Sequence, residues 1–93
     1  MTLELTKWDT ADHLRTKEDI AAYLEAMFED GDAALITHAL GVVAHAEGMT
    51  EVARQAGLTR ASLYNALSGD GNPEFATVLK VVQALRLKIT VAA

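Results

Sequence analysis

Ninety-three residues, of which 51% are hydrophobic, are enough for one folded domain and exclude a disordered chain. The sequence contains no cysteine, which excludes disulfides, thiol nucleophiles and zinc–thiolate sites. The net charge of −5 disfavours a non-specific nucleic-acid binder, because such proteins are normally basic. No apolar run approaches the roughly 20 residues that span a bilayer, and the first residues lack the features of a signal peptide. We therefore expect a cytoplasmic protein.

The charges are distributed unevenly along the chain. Residues 1–47 contain ten acidic and three basic side chains, a net charge of −7. Residues 48–93 contain three acidic and five basic side chains, a net charge of +2. The second half can therefore approach phosphates, whereas the first half suits a basic partner. The alternative is that both halves are ordinary solvated surface, and charge alone does not separate the two interpretations.

An arm and two helices are predicted in the first half. Residues 1–15 form the arm, in which Leu3–Leu5 alternates as a strand does. Thr16 and Asp32 are suitable N-caps for the two helices, and Gly41 in the second helix would allow another helix to approach closely. The apolar stripes at helical spacing are Ile20, Tyr23, Leu24, Met27 and Phe28 in the first helix, and Leu35, Ile36, Ala39, Leu40 and Val43 in the second.

Three shorter helices are predicted in the second half. Thr50 is expected to cap a third helix that ends at Ala56, and Thr59 to cap a fourth that ends near Leu67. The Asn72–Pro73 pair signals the start of a fifth helix, since Asn caps well and Pro fits the first helical position. The buried stripe of that helix is predicted to be Phe75, Val78, Leu79, Val82 and Leu85.

The end of the chain alternates and is rich in β-branched residues, so Leu87–Val91 is predicted to be a strand. A lone edge strand is unstable, and this one requires either Leu3–Leu5 or the same strand of a second copy. We expect a homodimer, with Leu87, Ile89 and Val91 at its interface. The predicted fold class is therefore all-α, a single domain of five helices with a short C-terminal β-strand.

The stretch from Met49 to Ser68 carries most of the functional information. Its two short helices meet at Gly57-Leu58-Thr59, where glycine tolerates the left-handed conformation that a tight turn needs. Ala53 is small where the helices must pass closely. The residues predicted to face the core are Val52, Leu58, Leu63 and Ala66. This combination favours a helix-turn-helix motif, whose second helix enters the major groove of DNA; the alternative is a generic helical hairpin.

The outward face of the fourth helix would then read base edges. Arginine pairs with guanine, asparagine pairs with adenine, and alanine contacts the methyl group of thymine. Hydroxyl and backbone N–H groups at the start of the third helix can hold a phosphate. The candidate DNA-binding residues are Thr50, Arg54, Gln55, Thr59, Arg60, Ala61, Ser62, Tyr64, Asn65 and Ser68, of which Tyr64 has the alternative of packing on the core.

An enzyme is not expected. His38 and His45 are seven residues apart, whereas a pair of metal ligands on one helix prefers a spacing of four. Ser62 and Ser68 lack the context of a nucleophile elbow. Residues 69–73 lack the ligand spacing of a phosphate or calcium loop. We therefore predict no catalytic residue, no metal and no cofactor.

Two sets of motifs resemble known families. Residues 50–60 resemble the Cro/C1-type (XRE-like) helix-turn-helix. Residues 62–69, 71–73 and 75–81, together with 18–24 upstream, resemble the probable addiction-module antidote proteins, which are relatives of HigA. The resemblance implies a lambda repressor-like domain. It also implies a homodimeric antitoxin that binds the promoter of its own operon and neutralises a RelE/ParE-like toxin, often a ribosome-dependent mRNA ribonuclease.

Two further interpretations stay open. The chain can be a stand-alone repressor of the phage or metabolic type, which shares the DNA chemistry and lacks a toxin partner. It can also be a protein-interaction module that no longer binds DNA, as its acidic total allows. In each DNA-binding interpretation a dimer doubles the contact and requires a palindromic operator.

Overall fold

The computed structural model describes residues 14–68 and 72–93. Over these residues the chain forms five helices and no strand, which confirms the all-α prediction for this part of the chain. The helices are α1 (Lys17–Asp30), α2 (Ala33–Glu47), α3 (Met49–Ala56), α4 (Arg60–Leu67) and α5 (Phe75–Ala84). None of these helices is long and apolar enough to cross a membrane. Nearly all of the predicted arm, including Leu3–Leu5, and the loop over residues 69–71 lie outside the described residues.

Side-chain caps fix the starts of the first two helices, as predicted. The hydroxyl oxygen of Thr16 accepts a hydrogen bond from the backbone N–H of Asp19 at 3.0 Å, and the Asp19 carboxylate accepts one from the backbone N–H of Thr16 at 3.2 Å. Asp32 caps α2 by accepting from the N–H groups of Ala34 and Leu35 at 2.9 and 3.3 Å. These bonds satisfy donors that a helix start otherwise leaves unpaired.

The core is built around α2, which α1, α3 and α4 all contact. Its middle turns are buried almost all round, and Ala39, Leu40, Val43 and Ala44 have no exposed surface. At Gly41, a Cβ atom would lie 3.1 Å from the backbone oxygen of Leu67 in α4. Glycine therefore permits the close approach of a second helix that the sequence indicated.

A single glycine makes the turn between α3 and α4. Gly57 has φ 73° and ψ 29°, the left-handed conformation expected there. Its N–H donates to the oxygen of Arg54 at 3.2 Å, and the N–H of Leu58 donates to the oxygen of Ala53 at 2.9 Å. This pair of bonds is a Schellman motif, which ends α3 and satisfies its last carbonyl groups.

Two predicted helix starts were wrong. Thr50 does not cap α3, because the helix begins one residue earlier, at Met49, with Gly48 as its N-cap and no side-chain capping bond. Similarly, Asn72–Pro73 does not begin α5, which starts at Phe75 after Glu74. In both places a strong local start signal lies within a few residues of the true start, and because helix ends fray, such a signal does not fix the first helical residue.

The predicted C-terminal strand is absent from the structure. Residues 87–93 have no strand pairing, since no second strand lies within the described part of this single chain. Instead, Leu85 ends α5 and Arg86 adopts φ 60°, a left-handed conformation that is costly for a residue other than glycine. The N–H of Leu87 then donates to the oxygen of Val82 at 3.1 Å, and Leu87 packs against the core.

The predicted apolar stripes are confirmed in the middle of the helices, but two aromatic residues at helix ends are exposed although they were predicted to be buried. Val82 is buried, but Phe75, at the first position of α5, is 68% exposed. Phe28, near the end of α1, is 40% exposed, while Ile20 and Leu24 of the same stripe are buried. A terminal turn extends past the neighbouring helices, so an apolar residue there lacks a packing partner.

Replacing Gly57 with alanine should lower the free energy of unfolding by roughly 1–2 kcal/mol. The cost arises from the left-handed backbone, because no atom lies within 4 Å of the added Cβ. Urea unfolding followed by circular dichroism measures the change. The matched variant Gly57→Asn should lose less, since asparagine tolerates this conformation better. An alanine variant as stable as the parent would show that this conformation does not limit stability.

Candidate nucleic-acid interface

Helix α4 has one buried side and one open side. Leu63 and Leu67 are buried in the core, which confirms the inward orientation predicted for Leu63. Ala61 and Asn65 lie roughly opposite these two leucines, as 100° per residue requires. Tyr64 is 57% exposed, so it does not pack in the core. Among the exposed side chains of α4, those of Arg60, Ala61, Tyr64 and Asn65 make no hydrogen bond or ion pair with any residue of 14–68 and 72–93.

Three other candidate residues, Thr59, Ser62 and Ser68, make hydrogen bonds at the two ends of α4. The hydroxyl of Thr59 donates to the hydroxyl oxygen of Ser62 at 2.8 Å, and its own oxygen accepts from the backbone N–H of Ser62 at 3.0 Å. Thr59 is thus the N-cap of α4, as predicted. The half-buried Ser68 donates to the backbone oxygen of Asn65 at 3.0 Å and closes the other end of the helix. These hydroxyl groups therefore stabilise the ends of α4.

A carboxylate that the sequence did not single out organises the outer face of α3. Glu51 accepts two hydrogen bonds from Arg54, at 2.6 Å from Nη2 to Oε1 and at 3.0 Å from Nε to Oε2. Gln55 donates to the same Oε1 atom at 2.9 Å. Two candidate phosphate-binding side chains are therefore held by one acidic residue. Arg54 and Gln55 follow Glu51 by three and four residues, and this spacing on a helix is the sequence signal for such side-chain pairs.

These bonds set the protonation of Glu51. Hydrogen bonds from Arg54 and then Gln55, together with the positive charges of Arg54 and Arg86, lower the pKa of Glu51 from 4.5 to about 2. The same hydrogen bond from Arg54 raises the pKa of its guanidinium. Because the pKa of the carboxyl is depressed in the folded state, the pair stabilises the protein above the ordinary pKa of Glu. That contribution is lost as pH falls towards about 2.

The first N–H groups of α3 are not capped by a side chain. Gly48 provides no side-chain cap for the first N–H groups of the helix, and Thr50 is exposed beside them. A DNA phosphate oxygen is the kind of acceptor that these groups lack. Thr50 does not play the capping role predicted for it, and its contact with a phosphate stays a prediction.

The remaining candidate residues are those predicted to form the dimer interface. Of the three predicted interface residues, Leu87 is half-buried against its own core, whereas Ile89 and Val91 are 43% and 97% exposed. Among residues 14–68 and 72–93, no group of three or more His, Asp or Glu side chains is placed to hold a metal ion.

The comparison with known families is decisive for the identity of the chain. Residues 4–93 match the model of a family described as probable addiction module antidote protein. The chain belongs to this antidote family. Membership implies a partner toxin, because an antidote acts on one. An uncharacterized protein of Haemophilus influenzae is 47% identical over 91 residues, which cover 98% of this antidote-family chain and 94% of the relative. No solved structure matches the chain significantly.

Replacing Arg54 with alanine should raise the pKa of Glu51 from about 2 towards its ordinary value, because the largest cause of the shift is removed. A pH titration of the Glu51 side-chain carboxyl by NMR measures this. The Gln55→Ala variant should raise the pKa less, since Gln55 contributes the weaker hydrogen bond. If Glu51 titrates at the same pH with and without Arg54, the bidentate pair does not exist in solution.

Proposed function

We propose that this protein is a HigA-like antitoxin with two binding activities and no catalytic one. As a homodimer it represses its own operon by reading a palindromic operator through a Cro/C1-type (XRE-like) helix-turn-helix formed by α3 and α4. Through a separate surface it neutralises a RelE/ParE-like toxin. Both partners are in the cytoplasm, which is where we place the protein.

The observation that carries the DNA-binding proposal is the one-sided construction of α4. Its buried leucines and its close contact with α2 at Gly41 hold the helix firmly, while Arg60, Ala61, Tyr64 and Asn65 face outward. These are side chains that read guanine, thymine methyl groups and adenine in the major groove. The Schellman turn at Gly57 supports the helix-turn-helix assignment, because this motif joins its two helices by a short turn that often contains glycine.

The first test is a gel-shift titration with the DNA upstream of the gene and unrelated DNA as competitor. Specific retardation that falls as salt rises is the expected result, because phosphate binding releases counterions. The same experiment separates the alternatives: an interaction module without DNA binding would remain folded and give no specific retardation.

Replacing Arg60 with alanine should weaken operator binding by about 1–3 kcal/mol and relax specificity at one base pair. Arg60 is suited to this role because, within the described residues, no other side chain competes for its guanidinium. Fluorescence anisotropy with operator variants measures both effects. Lys80→Ala is the control, since it removes one positive charge from the exposed surface of α5. Equal losses in the two variants would mean that Arg60 contributes charge and does not read a base.

The C-terminal segment supports the homodimer proposal. Ile89 and Val91 are apolar, exposed and two residues apart, so they lie on the same side of an extended chain. Arg86 turns the backbone away from α5, and Leu87 anchors the segment to the core. A segment that is fixed at one end, and that would be apolar on one side if extended, is suited to antiparallel pairing with its own copy. In that dimer the segment would become the strand that the alternation predicts.

Val91→Glu should give a folded monomer, since it places a charge in an apolar interface. Its molar mass by light scattering should be half that of the parent, and its operator affinity should fall. Thr90→Glu adds the same charge to the opposite side of an extended segment and should remain a dimer. A Val91→Glu protein that is still dimeric would place the interface on another surface.

The acidic first half supports the toxin-binding proposal. From Glu18 to Glu47 the chain contains neither Lys nor Arg and has seven carboxylates, those of Glu18, Asp19, Glu25, Glu29, Asp30, Asp32 and Glu47. Helix α1 is exposed on one side, where the partly exposed ring of Phe28 lies between Glu25 and Glu29 in the sequence. An exposed aromatic side chain with carboxylates next to it in the sequence suits a basic protein surface.

Glu25→Lys should weaken binding of the neighbouring gene's toxin roughly tenfold, because it places like charge against a basic partner. The dissociation constant can be measured by calorimetry with the purified pair. Glu74→Lys makes the same charge change at the exposed start of α5 and should leave the affinity nearly unchanged. Operator binding should survive in the Glu25→Lys variant, and unaltered toxin affinity would remove α1 from the interface.

A further inference from the structure

We infer that Glu51 acts as an intramolecular competitor for DNA phosphate. This inference rests on the proposed DNA-binding function and assigns a role to a residue that would not itself bind DNA. In the free protein, the Glu51 carboxylate occupies the guanidinium of Arg54 and the amide of Gln55. A phosphate must displace it, or share these donors with it, before either side chain can hold the DNA backbone.

The geometry of the pair is that of a phosphate complex with the carboxylate in place of the phosphate. Both oxygens of Glu51 accept from Arg54, one from Nη2 and one from Nε, which is the two-pronged arrangement by which arginine recognises phosphate. The pair is open to solvent, with the side chains of Arg54 and Glu51 69% and 55% exposed. Exposed ion pairs exchange at little cost, so a well-placed phosphate can replace the carboxylate.

A second cation faces the same carboxylate. Arg86, at the end of α5, acts on Glu51 through its charge. Both residues line a groove between α3 and the end of α5, together with Glu47, Val52, Gln55, Ala84 and Leu85. Glu51 thus faces two of the five bases in residues 48–93, the half of the chain that is net positive. Its negative charge lowers the attraction of this surface for any phosphate backbone.

Arg54 and Arg60 differ in whether a carboxylate of the protein already occupies them, and this difference determines the effect of Glu51 on DNA binding. Arg60 has no partner within the described residues and is available to DNA at once, whereas Arg54 becomes available only when Glu51 is displaced. On random DNA, phosphate contact alone must drive that displacement. On the operator, base contacts from α4 hold a phosphate next to Arg54, and this favours displacement of the Glu51 carboxylate. Glu51 therefore lowers non-specific binding more than specific binding.

The test is the isosteric variant Glu51→Gln, titrated against random-sequence DNA and against the operator at several salt concentrations. Its affinity for random DNA should rise about two- to fivefold, the range that the loss of one exposed ion pair allows. The dependence of log affinity on log salt should steepen by about 0.9, corresponding to one added phosphate contact. The ratio of specific to non-specific affinity should fall.

Two comparisons separate release of Arg54 from a simple change in net charge. Glu47→Gln removes one negative charge from the same groove without touching Arg54, and should change neither the salt dependence nor the affinity ratio. In an Arg54→Ala background, Glu51→Gln should produce a much smaller gain, because the guanidinium is gone and only the removed negative charge and the released Gln55 amide remain. Thermal unfolding of each variant confirms that the proteins compared are folded.

The possible outcomes distinguish failure of this inference from failure of the proposed DNA-binding function. If the unmodified protein binds no DNA, the proposed function itself fails. If it binds DNA and Glu51→Gln lowers the affinity, Glu51 is a positioning residue that holds Arg54 for DNA and the competitor role is wrong. A gain of the same size with and without Arg54 would also overturn the inference, because net charge alone would then explain it.

Discussion

The contact between α2 and α4 at Gly41 fixes the rest of the candidate interface. The backbone oxygen of Leu67 lies 3.1 Å from the position that a Cβ of residue 41 would occupy, so two helix backbones meet almost directly. Side chains can change rotamer, but such a backbone contact has little freedom, and the buried Leu40 and Leu63 reinforce it. The direction in which α4 presents its outer residues is therefore set by the core. Reading bases requires this rigidity, because hydrogen bonds to base edges tolerate little misplacement.

Most of the helical framework could be predicted from local signals. Thr16, Asp32 and Thr59 were identified as N-caps because a hydroxyl or carboxylate oxygen there can accept from a free N–H group, and each does so. Gly57 was identified because few other residues adopt a left-handed turn. In interactions of this kind the two interacting groups lie within four residues of each other, so a short stretch of sequence is enough to predict them.

The features that were missed depend on partners distant in sequence or absent from a single chain. Whether Phe75 is buried depends on how far its neighbours extend, which its own periodicity does not report. A strand at residues 87–91 needs a second strand, and the described chain offers none. Glu51 is a different case: its partners lie three and four residues away, but an acidic side chain is not expected on a surface that binds phosphate.

The separation of inward and outward positions on α4 has a consequence for how such proteins diversify. Leu63 and Leu67 support the fold, while Arg60, Tyr64 and Asn65 have no part in the core. Substitutions at the outer positions can therefore accumulate without unfolding the protein, since exposed changes of this kind usually alter stability by less than about 0.5 kcal/mol. If the proposed function holds, duplicated copies of the gene in one genome can acquire different operators while keeping one scaffold. Each copy would then control its own promoter without silencing that of its relatives.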